Sequence, residues 1–275
     1  MKKISAIQMT SNESVKDNLS VVDALITKAV DQGSNLVVLP EMFPIAGLES
    51  TDKIKVSETL GAGEIQDFLA HQAKKNHLWI VGGTIPLKCQ HTDKIRAACL
   101  VYNDNGKVVG RYDKIHLFDV DISQTESYQE SATTDPGTDI TVIDTPLGKL
   151  GLSVCYDIRF PELYRRLFNS GAEIFTIPAA FTLKTGQAHW EILSRSRAIE
   201  NFCYVVGACQ TGTHTNGRKT YGHSLIVNPW GEIINSLDDG TDVITAEVNL
   251  EKLHQIRKNI PIGEHQKFYF SERKI

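Results

Sequence analysis

The chain has 275 residues, a formal net charge of −4 and 41% hydrophobic residues, which suits one large α/β domain, residues 1–275, with a substantial core. No basic stripe suggests a nucleic-acid partner and no acidic tail suggests disorder. No apolar run is long enough to span a bilayer, and Met1-Lys-Lys-Ile-Ser-Ala-Ile-Gln-Met opens a strand rather than a leader, so a cytoplasmic protein that avoids the membrane is expected.

Strand and helix signals alternate along the chain. Lys3 to Met9 reads as a strand. Ser14 to Gln32 reads as a helix, with apolar Val21, Val22, Leu25, Ile26, Ala29 and Val30, stopped by Gly33. Leu36 to Leu39 is a strand, Gly63 to Asn76 a helix and Trp79 to Ile85 a strand. Arg96 to Arg111 reads as a hairpin turning at Asn105-Gly106. Ile140 to Val154 is a second hairpin, turning near Pro146-Leu-Gly148. A helix to Ser170, a strand at Ile174 to Pro178 and a helix at His189 to Asn201 follow. Then come a strand at Tyr204 to Gln210, a hairpin at Ser224 to Ile234 turning at Pro229-Trp-Gly231, a strand at Val243 to Val248 and a helix at Leu250 to Lys258. Nothing reads as an interdomain linker. The five cysteines, Cys89, Cys99, Cys155, Cys203 and Cys209, form no Cys-x-x-Cys pair, so zinc and dithiol motifs lack support and free thiols are expected.

Three residues stand where strands end. Cys155 follows the apolar run Leu150 to Val154 and precedes Pro161-Glu-Leu, which opens a helix. A cysteine in such a turn is poised as a nucleophile: the helix N-terminus favours thiolate, and backbone N–H groups there can cradle an oxyanion. The alternative for a lone cysteine is inert packing. Glu41 follows the buried run Asn35-Leu-Val-Val-Leu-Pro, at a sheet's carboxyl edge, where open α/β sheets keep ligand sites; the alternative is a solvated carboxylate. Lys114 closes the run Gly106 to Tyr112. Its apolar neighbours Ile115, Leu117 and Phe118 argue against a solvated charge, since a lysine in such a setting is held by a carboxylate or does chemistry.

Taken together, Leu39-Pro-Glu41-Met-Phe, Tyr112-Asp-Lys114-Ile-His-Leu-Phe-Asp and Cys155-Tyr-Asp-Ile-Arg-Phe-Pro-Glu-Leu resemble the nitrilase superfamily of carbon–nitrogen hydrolases. The resemblance runs from the first strand to about residue 262. Ser127-Tyr-Gln-Glu130-Ser, Ala188-His-Trp-Glu-Ile-Leu-Ser-Arg-Ser-Arg and Tyr221-Gly-His-Ser-Leu-Ile-Val-Asn-Pro-Trp-Gly are similar to further blocks of that family. Pattern alone gives only a single α/β domain. The resemblance implies a four-layer α-β-β-α sandwich of two packed mixed sheets, and a homodimer or higher homo-oligomer. It also implies a triad in which Cys155 attacks an amide carbon, Glu41 moves the protons, and Lys114 with the backbone N–H of Tyr156 stabilises the oxyanion. Glu130 matches an auxiliary glutamate that orients the lysine. The intermediate would be a thioester, and neither a metal nor an organic cofactor is needed. Replacement of Lys114 or Glu41 by Gln is expected to lower turnover with little loss of stability.

Arg159 is the candidate for binding a substrate carboxylate, because a guanidinium clamps carboxylates in a bidentate fork; the alternative is a structural ion pair with Glu162 or another acid. His116, His189 and His223 match no metal spacing and read as structural hydrogen-bonders. Cys209 could face the same cavity as Cys155, although packing fits it better. The chain departs from the family pattern at Thr185-Gly-Gln187-Ala-His, at Asp119-Val-Asp-Ile-Ser-Gln-Thr and in the tail His265-Gln-Lys-Phe-Tyr-Phe. A papain-like hydrolase would need a histidine base in a matching motif, a metalloamidase lacks ligand spacing, and a non-catalytic binding protein would be expected to have lost a triad member. The expected substrate is a small amide with a 2-oxo acid end. The stretch from Ala208 to His223 is similar to the corresponding loop of deaminated glutathione amidases, and omega-amidases acting on 2-oxoglutaramate or 2-oxosuccinamate are the alternative.

Overall fold

A computed structural model describes residues 2–90, 92–124 and 126–268. In chain order it contains β1 (Lys2–Gln8), α1 (Val15–Asp31), β2 (Leu36–Val38), α2 (Asp52–Lys55), α3 (Glu64–Asn76), β3 (Trp79–Val81), β4 (Ile85–Lys88), β5 (Ile95–Tyr102) and β6 (Val108–Asp113). Next come β7 (Asp119–Ser123), β8 (Glu126–Gln129), β9 (Val142–Thr145), β10 (Gly148–Leu152), α4 (Pro161–Asn169), β11 (Ile174–Ala179), α5 (Leu183–Asn201) and β12 (Tyr204–Cys209). The chain closes with β13 (Thr211–Thr213), β14 (Lys219–Tyr221), β15 (Leu225–Val227), β16 (Ile233–Ser236), β17 (Asp242–Val248), α6 (Leu250–Asn259) and α7 (Ile262–His265).

One sheet runs β17-β1-β2-β3-β5-β4, with β6 paired to β5; a second runs β16-β15-β12-β11-β10-β9. Both are mixed. β1, β2 and β3 are parallel, as are β10, β11 and β12, while their flanking strands are antiparallel. Alternation along the strands of the first sheet divides the core. Ile4, Ala6, Leu36, Val38, Cys99 and Val101 join the cluster that contains the second sheet, whereas their neighbours Ile7, Val37, Ile80 and Leu100 pack with Val22 and Ile26 of α1 and Leu69 and Ala73 of α3. On the far side, Leu163 and Leu167 of α4 and Trp190 and Ala198 of α5 complete the cluster of the second sheet. The result is the expected α-β-β-α sandwich. Among the described residues no helix is long and apolar enough to cross a membrane.

The structure departs from the sequence reading at specific elements. The run Trp79 to Ile85 is not one strand: Gly82 and Gly83 break it, and Gly83 takes a positive φ of 52°. α5 starts at Leu183, six residues ahead of His189, with Thr182 as its N-cap accepting from Thr185 N. Gly186 obscures that first turn, yet a Cβ there would fall 2.2 Å from Tyr221 Cβ, so close packing against β14 demands glycine. The turn after Cys155 is a 3₁₀ segment, Cys155–Arg159, while α4 begins at Pro161 as the sequence indicated. Two hairpins, β7–β8 and β13–β14, carry too few apolar residues to announce themselves. Of the divergent tail, Tyr269 and Phe270 lie outside the described residues.

Candidate active site

The sandwich brings three strand ends to one rim. Glu41 lies three residues beyond β2 and Lys114 one beyond β6, both on the first sheet. Cys155 lies three residues beyond β10, on the second. The sheets are tied together at this end: Thr211 N donates to Met9 O, and Gln210 Nε2, from beyond β12, donates to the Glu41 carbonyl at 3.0 Å and to Ser11 Oγ at 2.7 Å.

Cys155 adopts φ 48°, a left-handed conformation that a residue with a Cβ rarely holds without support. The support comes from Asp157, which is fully buried. Its Oδ2 accepts from Val154 N at 2.8 Å and from Tyr112 OH at 2.7 Å; its Oδ1 accepts from His116 N at 3.1 Å and lies 2.7 Å from His116 Nδ1. One carboxylate therefore pins the residue before the cysteine and the residues on both sides of Lys114. His116 also stacks on Phe160 with ring centroids 3.6 Å apart.

Lys114 is 2% exposed, and its Nζ donates to Glu41 Oε1 and Glu130 Oε2, each at 2.8 Å. Glu130 Oε2 also accepts from Phe118 N at 2.8 Å. Burial would depress the Lys114 ammonium, but Glu130 and Glu41 outweigh it and hold its pKa well above the usual range. Burial likewise opposes ionisation of Glu130, yet Lys114 and the Phe118 N–H keep its carboxyl below the usual range. The cation is fixed, and it sits between two carboxylates.

Cys155 responds in the opposite sense. Burial and the adjacent Glu41 carboxylate push its thiol well above the ordinary value, outweighing the pull of Lys114 and of the Ala180 N–H. Its environment favours the thiol over the thiolate expected from a helix N-terminus, because the helix proper begins six residues later and the Glu41 carboxylate opposes ionisation. A thiol beside a carboxylate is a nucleophile awaiting a base.

These groups floor a cavity of about 610 Å³ lined by Glu41, Lys114, Glu130, Cys155 and Tyr156, and on its upper walls by Lys53, Phe118, Tyr128, Phe181 and Arg218. Arg159 does not line it. The 3₁₀ turn carries its guanidinium toward α5, where Nη2 lies 3.2 Å from His189 Nδ1 and the group stands 5.8 and 5.6 Å from the ring centroids of Tyr156 and Phe181. Cys209 is buried in the core and is absent from the cavity wall. His223 bonds locally to the Tyr221 carbonyl.

The profile of the carbon–nitrogen hydrolase family matches residues 3–258. The chain belongs to the carbon–nitrogen hydrolase family. Relatives include the deaminated glutathione amidase of Dictyostelium discoideum, 41% identical over 97% of this chain and 94% of that one, and that of Yersinia enterocolitica, 38% identical over 98% and 94%. The NitFhit protein of Caenorhabditis elegans superposes with a TM-score of 0.91 at 35% identity over 97% of this chain; the chain spans 65% of that longer protein. Nit3 of Saccharomyces cerevisiae, a member of branch 10 of the nitrilase superfamily, gives 0.87 at 33% identity over 97% of each chain. Family membership makes the protein an amide-hydrolysing enzyme.

Residues that the sequence reading passed over also shape the site. Asp157 lay inside the quoted cysteine motif, and its burial was the missing fact. Gln210 ends a strand that was recognised, but its reach to Glu41 crosses from one sheet to the other. Lys53 sits in a single-turn helix and Arg218 in a tight hairpin, where no periodicity marks a side chain as inward-facing.

Proposed function

We propose that the protein is a cysteine-dependent amidase acting on deaminated glutathione, with Cys155 as nucleophile. The observation that carries the mechanism is the meeting of Glu41, Lys114 and Cys155 on one cavity, with Lys114 Nζ 2.8 Å from the Glu41 carboxylate. Glu41 takes the thiol proton as sulfur attacks the amide carbon of the 2-oxoglutaryl group. Lys114 and the Tyr156 N–H receive the developing oxyanion charge. Glu41 then returns the proton to the departing amine of cysteinylglycine, and the C–N bond breaks to leave a thioester on Cys155. Water, deprotonated by Glu41, attacks the thioester; the carbon–sulfur bond breaks, the acid leaves and the thiol is restored. Glu130 does not touch the reacting atoms. It holds Lys114 in place.

The substrate rests on the relatives, which are deaminated glutathione amidases, and on a cavity of about 610 Å³, larger than a primary amide needs. The competing substrate, 2-oxoglutaramate, releases only ammonia and has no use for that room. The test is kcat/KM for both compounds on one preparation, with mass spectrometry of Cys155 after iodoacetamide treatment. A preference for deaminated glutathione, lost with Cys155→Ala, is expected. A clear preference for 2-oxoglutaramate overturns the substrate and leaves the mechanism standing; activity in Cys155→Ala overturns the mechanism.

Self-association fits the exposed apolar side chains Ile192 and Ile199 of α5 and Trp230 of the β15–β16 turn, which are 67%, 47% and 55% exposed. Light scattering should give a dimer or larger, and Ile192→Asp should shift it toward monomer.

A further inference from the structure

Lys53 and Arg218 reach the cavity from opposite sides of the chain, one from α2 and one from the loop joining β13 to β14. Neither has a carboxylate within 4 Å among the described residues. Lys53 Nζ donates to Thr134 Oγ1 at 3.0 Å, a neutral partner. Arg218 Nη2 donates to the Ala180 carbonyl at 2.6 Å, Nη1 lies 3.9 Å from Met42 Sδ, and Nε is buried with no partner. Its guanidinium also stands 5.0 Å from the centroid of the Tyr128 ring.

An orphaned buried N–H on a permanent cation is unusual, since buried polar groups are nearly always paired. Two such cations on one cavity wall, each short of an anionic partner, form a receptor for a negative group. Burial depresses the Lys53 ammonium despite the pull of the Glu130 and Glu41 carboxylates, both of which Lys114 already engages at 2.8 Å. Glu126 and Glu49 also line the cavity, but Glu126 accepts from Tyr128 OH and Glu49 is exposed to solvent.

We propose that Lys53 and Arg218 together form the subsite that binds the substrate's carboxylate, the Arg218 guanidinium as one cationic donor and Lys53 as a second point charge. This deepens the amidase reading above and rests on it. It replaces Arg159 in the role the sequence had suggested for that residue. With the 2-oxo acid end held there, the amide carbon at the other end of the short acyl chain is left to meet the sulfur. The subsite thereby selects amides that bear a terminal carboxylate and rejects neutral amides of equal length.

The test uses Cys155→Ala protein, which cannot turn over, and 2-oxoglutarate as the probe. Calorimetry should show binding weakened by about 10- to 100-fold with Arg218→Gln added and by a comparable factor with Lys53→Gln, the range for losing a charged hydrogen bond. Arg218→Lys should recover part of the loss, and pentanamide, which lacks the carboxylate, should bind no differently in any of these variants. Alkylation of Cys155 by iodoacetamide in the otherwise native Arg218→Gln and Lys53→Gln proteins should keep its native rate, which separates loss of the subsite from collapse of the reactive centre. Unchanged 2-oxoglutarate affinity in both variants, or equal loss of affinity for the acid and pentanamide, overturns the proposal. Failure of Cys155→Ala to abolish turnover would instead strike the mechanism.

Discussion

At the scale of single residues, Glu41 favours the protonated form of both Cys155 and Lys114, which leaves one a neutral thiol and the other a charged ammonium. Glu41 suppresses ionisation of the thiol and promotes that of the amine. Alkylation of Cys155 should therefore accelerate only well above the ordinary thiol range. Glu41→Gln removes the neighbouring charge, so the profile of alkylation rate against pH should move toward lower pH even as turnover falls by orders of magnitude; an unmoved profile would contradict the electrostatic account. The two partners of Glu41 also differ in what they do for stability. Sequence alone suggested little stability loss from either substitution. Glu41→Gln still fits, because Lys114 keeps Glu130. Lys114→Gln does not: it strands two buried carboxylates, an imbalance worth about 3–5 kcal/mol in comparable buried pairs. The same variant should also lose about 2.7–4 kcal/mol of transition-state stabilisation. Urea unfolding and steady-state kinetics measure the two separately.

At the scale of elements, the legible parts of the site were those that follow a long apolar strand. Glu41, Lys114 and Cys155 each sit just past such a run, so position along the sheet edge could be read directly. Lys53 and Arg218, in contrast, come from a single helical turn and a tight loop. Their inward orientation is a tertiary property, set by what packs behind them, and no local period encodes it. Arg159 shows the converse. Its spacing from Cys155 suggested a helical turn pointing back at the nucleophile, but a tighter 3₁₀ turn gives a different direction. The start of α5 was hidden for a similar reason, since Gly186 looks like a breaker until Tyr221 is seen against it. Gly186→Ala should consequently destabilise the protein by about 1–3 kcal/mol, the range for overpacking, although alanine is the better helix former. A thermal melt at or above the native midpoint would refute the packing argument.

At the scale of the whole molecule, four of the five cysteines are buried and their thiols are raised in pKa, Cys99 and Cys203 each to about 12, with Cys155 and Cys209 also pushed up, in every case chiefly by burial. In the unfolded chain these groups ionise near pH 8.5. Above that pH the folded state binds more protons than the unfolded state, so unfolding becomes easier as pH rises. The contribution is complete below pH 8.5 and is lost progressively toward pH 12. At pH 10 each buried thiol accounts for about 2 kcal/mol of lost stability. Urea midpoints at pH 8 and pH 10 should therefore differ, and Cys99→Ala should narrow the gap. Equal midpoints at the two pH values would contradict it.

The pairing of β1 with β17 places Lys2 opposite Val248 and Gln8 opposite Asp242. β1 is synthesised first but gains its outer neighbour only after some 230 further residues have left the ribosome. Until then the first sheet has an open edge at the strand that leads to Met9 and Ser11, the residues through which β12's end and Gln210 grip the Glu41 loop. Closing so long a loop is slow, and a partly made chain exposes a bare strand edge while it waits. A chain stopped before residue 242 would own every residue of the triad and lack the last strand of the sheet that aligns them.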